Sequence, residues 1–241
     1  MGYNRKAQTT ELILSLGLAI PLYNEEGAVE NVLHQTMFVL RQENIPFFIA
    51  TVNNGSTDQT GDILDQIAKH NPEIIPIHFD QNQGYGGGIL SGMRALAPKE
   101  PSILGWSWGD GQVSPEVLPK LYRACKNGAQ LAKAKRIKRK DGLNRIIQSK
   151  FYNRAMQILG TQTKDVNGCP KVFRMEAWEE LDLLSQDWFL DAETILLAEK
   201  LGWAIHQEPV TMEPRYYNRS KVHLGTAFEF TKNILQWKLK N

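Results

Sequence analysis

The chain has 241 residues, 42% hydrophobic and 22% charged, a composition typical of soluble globular proteins with ample core. That excludes a disordered chain, a collagen and a membrane bundle. The longest apolar stretch, Leu12 to Leu22, is broken by Ser15, Gly17 and Pro21 and falls short of the ~20 residues of a spanning helix. No export signal is expected, since Glu11 opens that stretch and Asn24-Glu25-Glu26 follows without a small-residue cleavage site. The two cysteines, Cys125 and Cys169, make neither a disulfide framework nor a metal-ligand spacing, which points to a reducing cytoplasm. The net charge of +2 hides an uneven distribution. Lys133 to Arg154 holds nine Lys or Arg and one acid, Asp141, a local +8 that leaves about −6 elsewhere. Such a segment attracts phosphate, or forms a solvated helix face.

In chain order, Leu12–Ile20, Phe47–Val52, Ile74–Phe79 and Ile103–Trp108 are short apolar runs suited to buried parallel strands. Helical patterns alternate with them at Ala28–Gln42, Gly61–His70 and Gly88–Ala97. The first carries Val29, Val32, Leu33, Thr36, Met37 and Leu40 at three-to-four spacing. This alternation predicts an open parallel sheet covered on both faces, with ligands beyond the carboxyl ends of its strands. The loops of interest are therefore Pro21–Gly27, Asn53–Thr60, Asp80–Gly88 and Gly109–Pro115. Further on, Pro115–Asn127 reads as helix and Gln130–Ala134 as strand. Leu143–Leu159 reads as helix and Val172–Phe173 as strand, then Met175–Leu184 and Asp191–Leu201 as helices. Trp203–Thr211 reads as strand and Thr226–Leu239 as an amphipathic helix. Without a repeat or linker, one domain is expected. Its two halves are about 12–112 and about 113–224, and residues 225–241 are expected to form the closing helix.

Singly, the loops permit several readings. Asn53-Asn54-Gly55-Ser56-Thr57-Asp58 suits a capped turn. Gln83-Gly84-Tyr85-Gly86-Gly87-Gly88 could cradle an anion at a helix start, but fits neither the dinucleotide fingerprint nor a P-loop. Asp110 and Gln112 offer hard oxygen ligands for Mg²⁺ or Mn²⁺ carrying a diphosphate, or simply a surface turn.

Together they are more specific. Pro21-Leu22-Tyr23-Asn24-Glu25-Glu26, the Asn53–Asp58 loop, Asn82 with its glycines, and Asp110-Gly111-Gln112 leading to Pro115-Glu116 fall in order at strand ends. This set resembles the family 2 glycosyltransferases, nearest the dolichol- or polyprenyl-phosphate sugar synthases. The resemblance continues through Lys135-Arg136, Arg145, Ser149, Asn153, Asp165-Val166-Asn167-Gly168 and Lys171. It extends over Phe189–Glu193, Glu208-Pro209-Val210 and Arg215–Lys221. It implies an α/β GT-A fold: a Rossmann-like, three-layer arrangement with a mostly parallel central sheet and helices on both faces.

The resemblance also implies roles. Pro21, Tyr23, Asn24 and Glu25 would shape the nucleotide-sugar pocket with Asn82, Gly84 and Asp110, while Asn53, Asn54, Gly55 and Ser56 would read the base. Asp110 and Gln112 would hold the divalent cation on the diphosphate. Arg136, Arg145, Arg215 and Lys221 would surround the phosphates, and Asp110 and Arg215 would serve catalysis. Asp191 or Glu193 would be the acid near the acceptor; as helix neighbours they point about 200° apart, so one of them faces the site. A hydroxyl acceptor would need that carboxylate as base, whereas a phosphate acceptor needs none.

Two departures from the family pattern stand out. Asn53-Asn54 replaces the usual Asp-Asp, exchanging charge for donors. Trp108 takes the first place of the usual Asp-x-Asp, which removes one carboxylate from the cation site. The expected activity is inverting transfer from a nucleotide sugar to a polyprenyl phosphate. A soluble or envelope-glycan acceptor and a non-catalytic nucleotide-binding protein are the alternatives. Nucleic acid is not an expected partner, an oligomer is possible, and the expected location is cytoplasmic. Contact with the membrane face would come through the basic segment and the closing helix, whose stripe is Phe230, Ile234 and Trp237.

Overall fold

A computed structural model describes residues 14–139, 152–215, 217 and 237. Seven strands form one sheet in the order β3-β2-β1-β4-β6-β5-β7. They are β1 (Leu16–Leu22), β2 (Phe47–Asn54), β3 (Ile74–Phe79), β4 (Ile103–Trp106), β5 (Leu131–Arg139), β6 (Lys171–Arg174) and β7 (Ile205–Met212). Only β6 runs against its neighbours, so the sheet is mostly parallel as expected. The helices are α1 (Val29–Gln42), α2 (Thr60–His70), α3 (Gly84–Leu96), α4 (Leu118–Lys126), α5 (described over 152–158), α6 (Met175–Glu180) and α7 (Leu190–Lys200).

Strand alternation builds two cores, one on each face. Leu16, Leu18, Ile20 and Leu22 join Ile49, Ile103 and Val172 beneath α1, α2 and α4. Ala19 and Ala50, with Leu104, Trp106 and Phe173, face α3 and α7. The small residues on that face let α3 approach closely, and a Cβ on Gly92 would lie 2.8 Å from the Cβ of Ala19. These are the three layers expected. α1 buries the residues whose spacing identified it: Val29, Val32, Leu33, Thr36, Met37 and Leu40.

Several boundaries differ from expectation. β1 starts at Leu16 rather than Leu12 and runs on through Pro21. Proline is tolerated there because its missing N–H would point toward β4, whose pairing with β1 stops at Ala19. β4 likewise ends at Trp106 rather than Trp108, and α6 ends at Glu180 rather than Leu184. β5 extends to Arg139, five residues past the expected end, because it pairs in parallel with β7. Lys138 and Arg139 are thereby paired with Thr211 and Met212 of β7. The basic run is therefore no uniform solvated face, since Lys133 within it is fully buried.

A charged layer lies under the α3–α7 face. The Lys171 ammonium pairs with Asp191 and donates to the Gly168 carbonyl at 2.9 Å. The Lys133 ammonium donates to the carbonyls of Ala134 and Asp165 at 2.9 and 2.8 Å. Asp165 takes the Arg136 Nε at 3.0 Å and the Arg136 backbone N–H at 2.6 Å. Burial raises the Asp165 carboxyl pKa, but the adjoining guanidinium outweighs it and leaves the value lowered. Burial, helped by the neighbouring Lys171 charge, pushes Lys133 down to about 7.

Two outcomes are expected. A Cβ on Gly105 would lie 2.2 Å from the Lys171 carbonyl oxygen, so Gly105→Ala must push β4 from β6. Urea denaturation should show a loss of about 1–3 kcal/mol; an unchanged midpoint would contradict this packing. Lys133 titrates near 7 when folded and near 10.4 when unfolded. The unfolded chain therefore binds the extra proton between those values, and stability rises with pH across that window. Relative to Lys133→Met, the wild type should gain stability steadily from pH 7 to pH 10. A constant difference between the two would show that the ammonium is not perturbed.

Candidate active site

The turns leaving β1 and β2 hold each other through backbone donors. Asn24, at φ 50°, donates its N–H to Ser56 Oγ at 3.0 Å, and its side-chain oxygen accepts from Thr57 N at 2.7 Å. The Glu25 N–H donates to Thr60 Oγ1 at 2.9 Å, and the Glu25 carbonyl receives the N–H groups of Ala28 and Val29 ahead of α1. Pro21 closes β1, with half-buried Tyr23 following it. Pro21, Tyr23, Asn24, Glu25 and Ser56 thus share one corner, as the sequence resemblance implies.

The two asparagines use the donors that aspartates would lack. Asn53 Oδ1 accepts from Ser56 N at 3.1 Å while its Nδ2 lies 3.2 Å from His78 Nδ1. Asn54 Nδ2 donates to the Gly84 carbonyl at 2.9 Å and to Asn82 Oδ1 at 3.3 Å, and its Oδ1 accepts from Gln83 N. Gly55 has φ +76°, and a Cβ there would stand 2.5 Å from the Asn82 nitrogen. Asn54, Asn82 and Gly84 are therefore one hydrogen-bonded unit between the ends of β2 and β3, with Gly55 packed against Asn82 and Asn53 bonded to Ser56 and His78 beside it.

The glycine-rich run differs from expectation. α3 begins at Gly84 rather than Gly88, so the run is the first turn of the helix. Gly87 N donates to the Gln186 carbonyl at 2.9 Å. A Cβ on Gly84 or Gly86 would collide with the carbonyls of Gln186 or Ser185 at 2.4 and 2.3 Å. A peptide carbonyl thus occupies the place expected for a phosphate, and the glycines admit the 185–187 backbone.

After β4, Trp108 turns its Nε1–H to the Tyr85 hydroxyl at 2.9 Å, and that hydroxyl donates to Asp191 Oδ2 at 3.1 Å. The Arg136 guanidinium lies 5.5 Å over the Trp108 ring, and Trp188 stacks on Tyr85 at 4.3 Å. Asp110 Oδ1 accepts from Gln112 N at 3.1 Å, and its Oδ2 accepts from Arg215 Nη2 at 2.8 Å. The same Nη2 lies 3.5 Å from Glu25 Oε1. An extended strap after β7 carries this arginine. Glu213 N donates to the Gln112 carbonyl at 2.8 Å, Gln112 Nε2 donates to the Glu213 carbonyl at 2.9 Å, and Tyr217 covers Gly27. Arg136 and Arg215 therefore meet the 108–110 turn, although 79 positions separate them in sequence.

The two acids of α7 point to different partners, consistent with their angular separation. Asp191 has both oxygens committed, one to Lys171 and one to Tyr85. Glu193 accepts from Leu184 N at 3.2 Å and Ser185 N at 2.9 Å, which anchors the loop that covers α3. Both are buried, and in this geometry both anchor neighbouring elements. Arg136 is likewise engaged by Asp165. Arg145 and Lys221 lie outside the described residues, as does the 225–241 helix apart from Trp237, whose ring rests 6.2 Å from Phe189. The roles of Tyr85 and Trp188 were not read from the sequence; they arise from the Tyr85 contacts with Trp108, Trp188 and Asp191, two of them across more than a hundred positions.

A divalent cation fits part of this donor set. Asp110 supplies a hard carboxylate and Gln112 an amide oxygen, and Arg215 shows that positive charge is accommodated beside them. The indole at 108 supplies no oxygen.

Comparison with known proteins gives the lineage. The family model for glycosyl transferase family 2 matches residues 18–182, more than half of the chain. The undecaprenyl-phosphate mannosyltransferase of Micrococcus luteus is 25% identical over 228 residues, covering 91% of this chain and 92% of that protein. The polyprenol monophosphomannose synthase of Mycolicibacterium smegmatis is 25% identical over 231 residues, covering 92% and 86%. Among solved structures, glucosyl-3-phosphoglycerate synthase from Mycobacterium tuberculosis, in complex with Mn²⁺, UDP-glucose and phosphoglyceric acid, superposes with a TM-score of 0.66. At 19% identity, covering 92% of this chain and 77% of that one, it establishes the GT-A fold. Family match, full-length relatives and fold agree: the chain belongs to glycosyl transferase family 2.

Proposed function

We propose that this glycosyltransferase moves a sugar, with inversion, from a nucleoside-diphosphate donor to the phosphate of a polyprenyl lipid. The observation that carries the reading is the convergence of Asp110, Glu25 and Arg215 beyond the strand ends, brought together across 105 positions between Asp110 and Arg215. That is the edge of an open α/β sheet where ligands bind. The phosphate oxygen of the acceptor attacks the anomeric carbon, the bond to the donor diphosphate breaks, and negative charge grows on the leaving group. The guanidinium of Arg215 stabilises that charge better than a point cation, because its planar fork suits phosphate oxygens. A divalent cation, Mg²⁺ or Mn²⁺, held by Asp110 and the Gln112 amide oxygen would neutralise the same diphosphate.

Two facts support a phosphate over a hydroxyl acceptor. Asp191 and Glu193 are spent on Lys171, Tyr85 and backbone N–H groups, which leaves neither as a base. A phosphate acceptor is already anionic and needs none. Two relatives aligned along more than nine-tenths of the chain are named for polyprenyl-type acceptors. No helix among the described residues is long and apolar enough to cross a membrane; peripheral contact at the cytoplasmic face is the location we assign from the lipid-phosphate acceptors for which these relatives are named. The Trp237–Phe189 contact favours docking of that part of the stripe on the domain itself.

The test offers UDP- and GDP-sugars with Mn²⁺ and a polyprenyl phosphate in detergent, and measures label entering the organic phase. Transfer to lipid is expected, with Asp110→Asn lowering it on the order of a hundredfold, the scale of losing one group that stabilises developing charge. Label on a soluble phosphate such as phosphoglyceric acid, and none on lipid, would replace the acceptor assignment. Tight nucleotide binding with no turnover on any acceptor would leave a non-catalytic binding protein.

A further inference from the structure

The first place of the family's cation loop is Trp108, whose N–H is bonded to Tyr85 and whose face is covered by Arg136. A second carboxylate is nevertheless present from another element. Glu25 is 5% exposed, its backbone is fixed by Thr60 and by the start of α1, and its side chain reaches the guanidinium nitrogen that Asp110 also holds. Asp110 Oδ1 is engaged by Gln112 N, which leaves Oδ2 directed at Arg215. One nitrogen therefore lies 2.8 Å from Asp110 and 3.5 Å from Glu25.

We propose that Glu25 supplies the second carboxylate of the cation site, in place of the one missing at position 108, and that Arg215 competes with the divalent ion for both carboxylates. The idea rests on the donor-binding reading above. Two carboxylates and one guanidinium carry a net charge of −1, and a donor diphosphate adds further negative charge. A divalent ion reverses that balance only by sitting where both carboxylates reach it, at about 2.1 Å from each oxygen. The guanidinium occupies that neighbourhood, and like charges so close in a half-buried place repel strongly. Ion entry therefore requires the Arg215 side chain to leave the carboxylates. Turning it to the diphosphate leaves the strap in place, because the Glu213–Gln112 pair two residues earlier holds the chain. The arginine and the ion then serve the same leaving group from different sides. A purely structural latch makes no such prediction, since breaking it would loosen the strap without any gain in ion affinity.

The test is Mn²⁺ binding without nucleotide, read from the electron paramagnetic resonance signal of the unbound ion. Arg215→Gln should bind Mn²⁺ on the order of tenfold more tightly than wild type, because the competing charge is gone. Adding Glu25→Gln to it should remove at least that gain. Equal or weaker binding by Arg215→Gln overturns the competition, and undiminished binding by the double variant overturns the role of Glu25. Circular dichroism checks the fold of each protein. If Arg215→Gln does not fold, Glu25→Gln alone with Mn²⁺ and UDP decides: a tenfold loss of Mn²⁺ affinity is expected, and no loss overturns the assignment. Because the readout is ion affinity, failure here is distinct from failure to transfer sugar, which the lipid assay reports separately.

Discussion

Lys171 and Asp191 meet with side chains 0% and 3% exposed, and removing two such charges from water costs several kcal/mol each. The pair is tolerable because further hydrogen bonds take up part of the polar capacity on both sides of it. The second Asp191 oxygen takes the Tyr85 hydroxyl, the Lys171 ammonium also holds the Gly168 carbonyl, and the Tyr85 hydroxyl receives the Trp108 indole N–H. Burial and the Asp191 charge hold the Tyr85 phenol well above its usual pKa, so it remains a donor. This chain of bonds joins β6, α7, α3 and the turn after β4. The 108–112 turn, and with it Asp110, takes its place from a network whose members cannot be moved separately.

The departures from the family pattern share one electrostatic consequence. Asn53, Asn54 and Trp108 remove negative charge from the mouth of the cleft and replace it with N–H donors. Those donors are used internally, on His78, Gly84, Asn82 and Tyr85, and stiffen the loops that bear them. The anionic character that remains is concentrated in Asp110 and Glu25, both facing Arg215. A cleft with fewer fixed charges depends more on how that one arginine is placed.

Much of the site was legible because its chemistry is local. The turn from Pro21 to Glu26, the Asn53–Ser56 loop and Asp110-Gly111-Gln112 each follow a recognisable strand, and a parallel sheet delivers such ends to one edge. The glycine run misled for an equally physical reason. Glycines at a helix start suit an anion or a closely packed backbone equally well, and only the position of Gln186, some hundred residues on, decides between them. The basic run misled because net charge does not report burial, and Lys133 is satisfied by two backbone carbonyls.

Periodicity and turn chemistry in the sequence determined the alternating strands and helices and the two-faced sheet, since these depend on neighbours in the chain, while the family was legible from the resemblance of its strand-end motifs. Tertiary structure alone decided which polar groups act outward and which are consumed within. Asp191 and Glu193 read from sequence as chemical groups, yet they are hydrogen-bonded to Lys171, Tyr85 and the 184–185 backbone. Glu25 read as part of a nucleotide pocket, yet shares a guanidinium with Asp110 from the far side of the cleft. Partners in space set the function of a polar side chain, because hydrogen-bond valence and charge are satisfied in three dimensions and not along the chain.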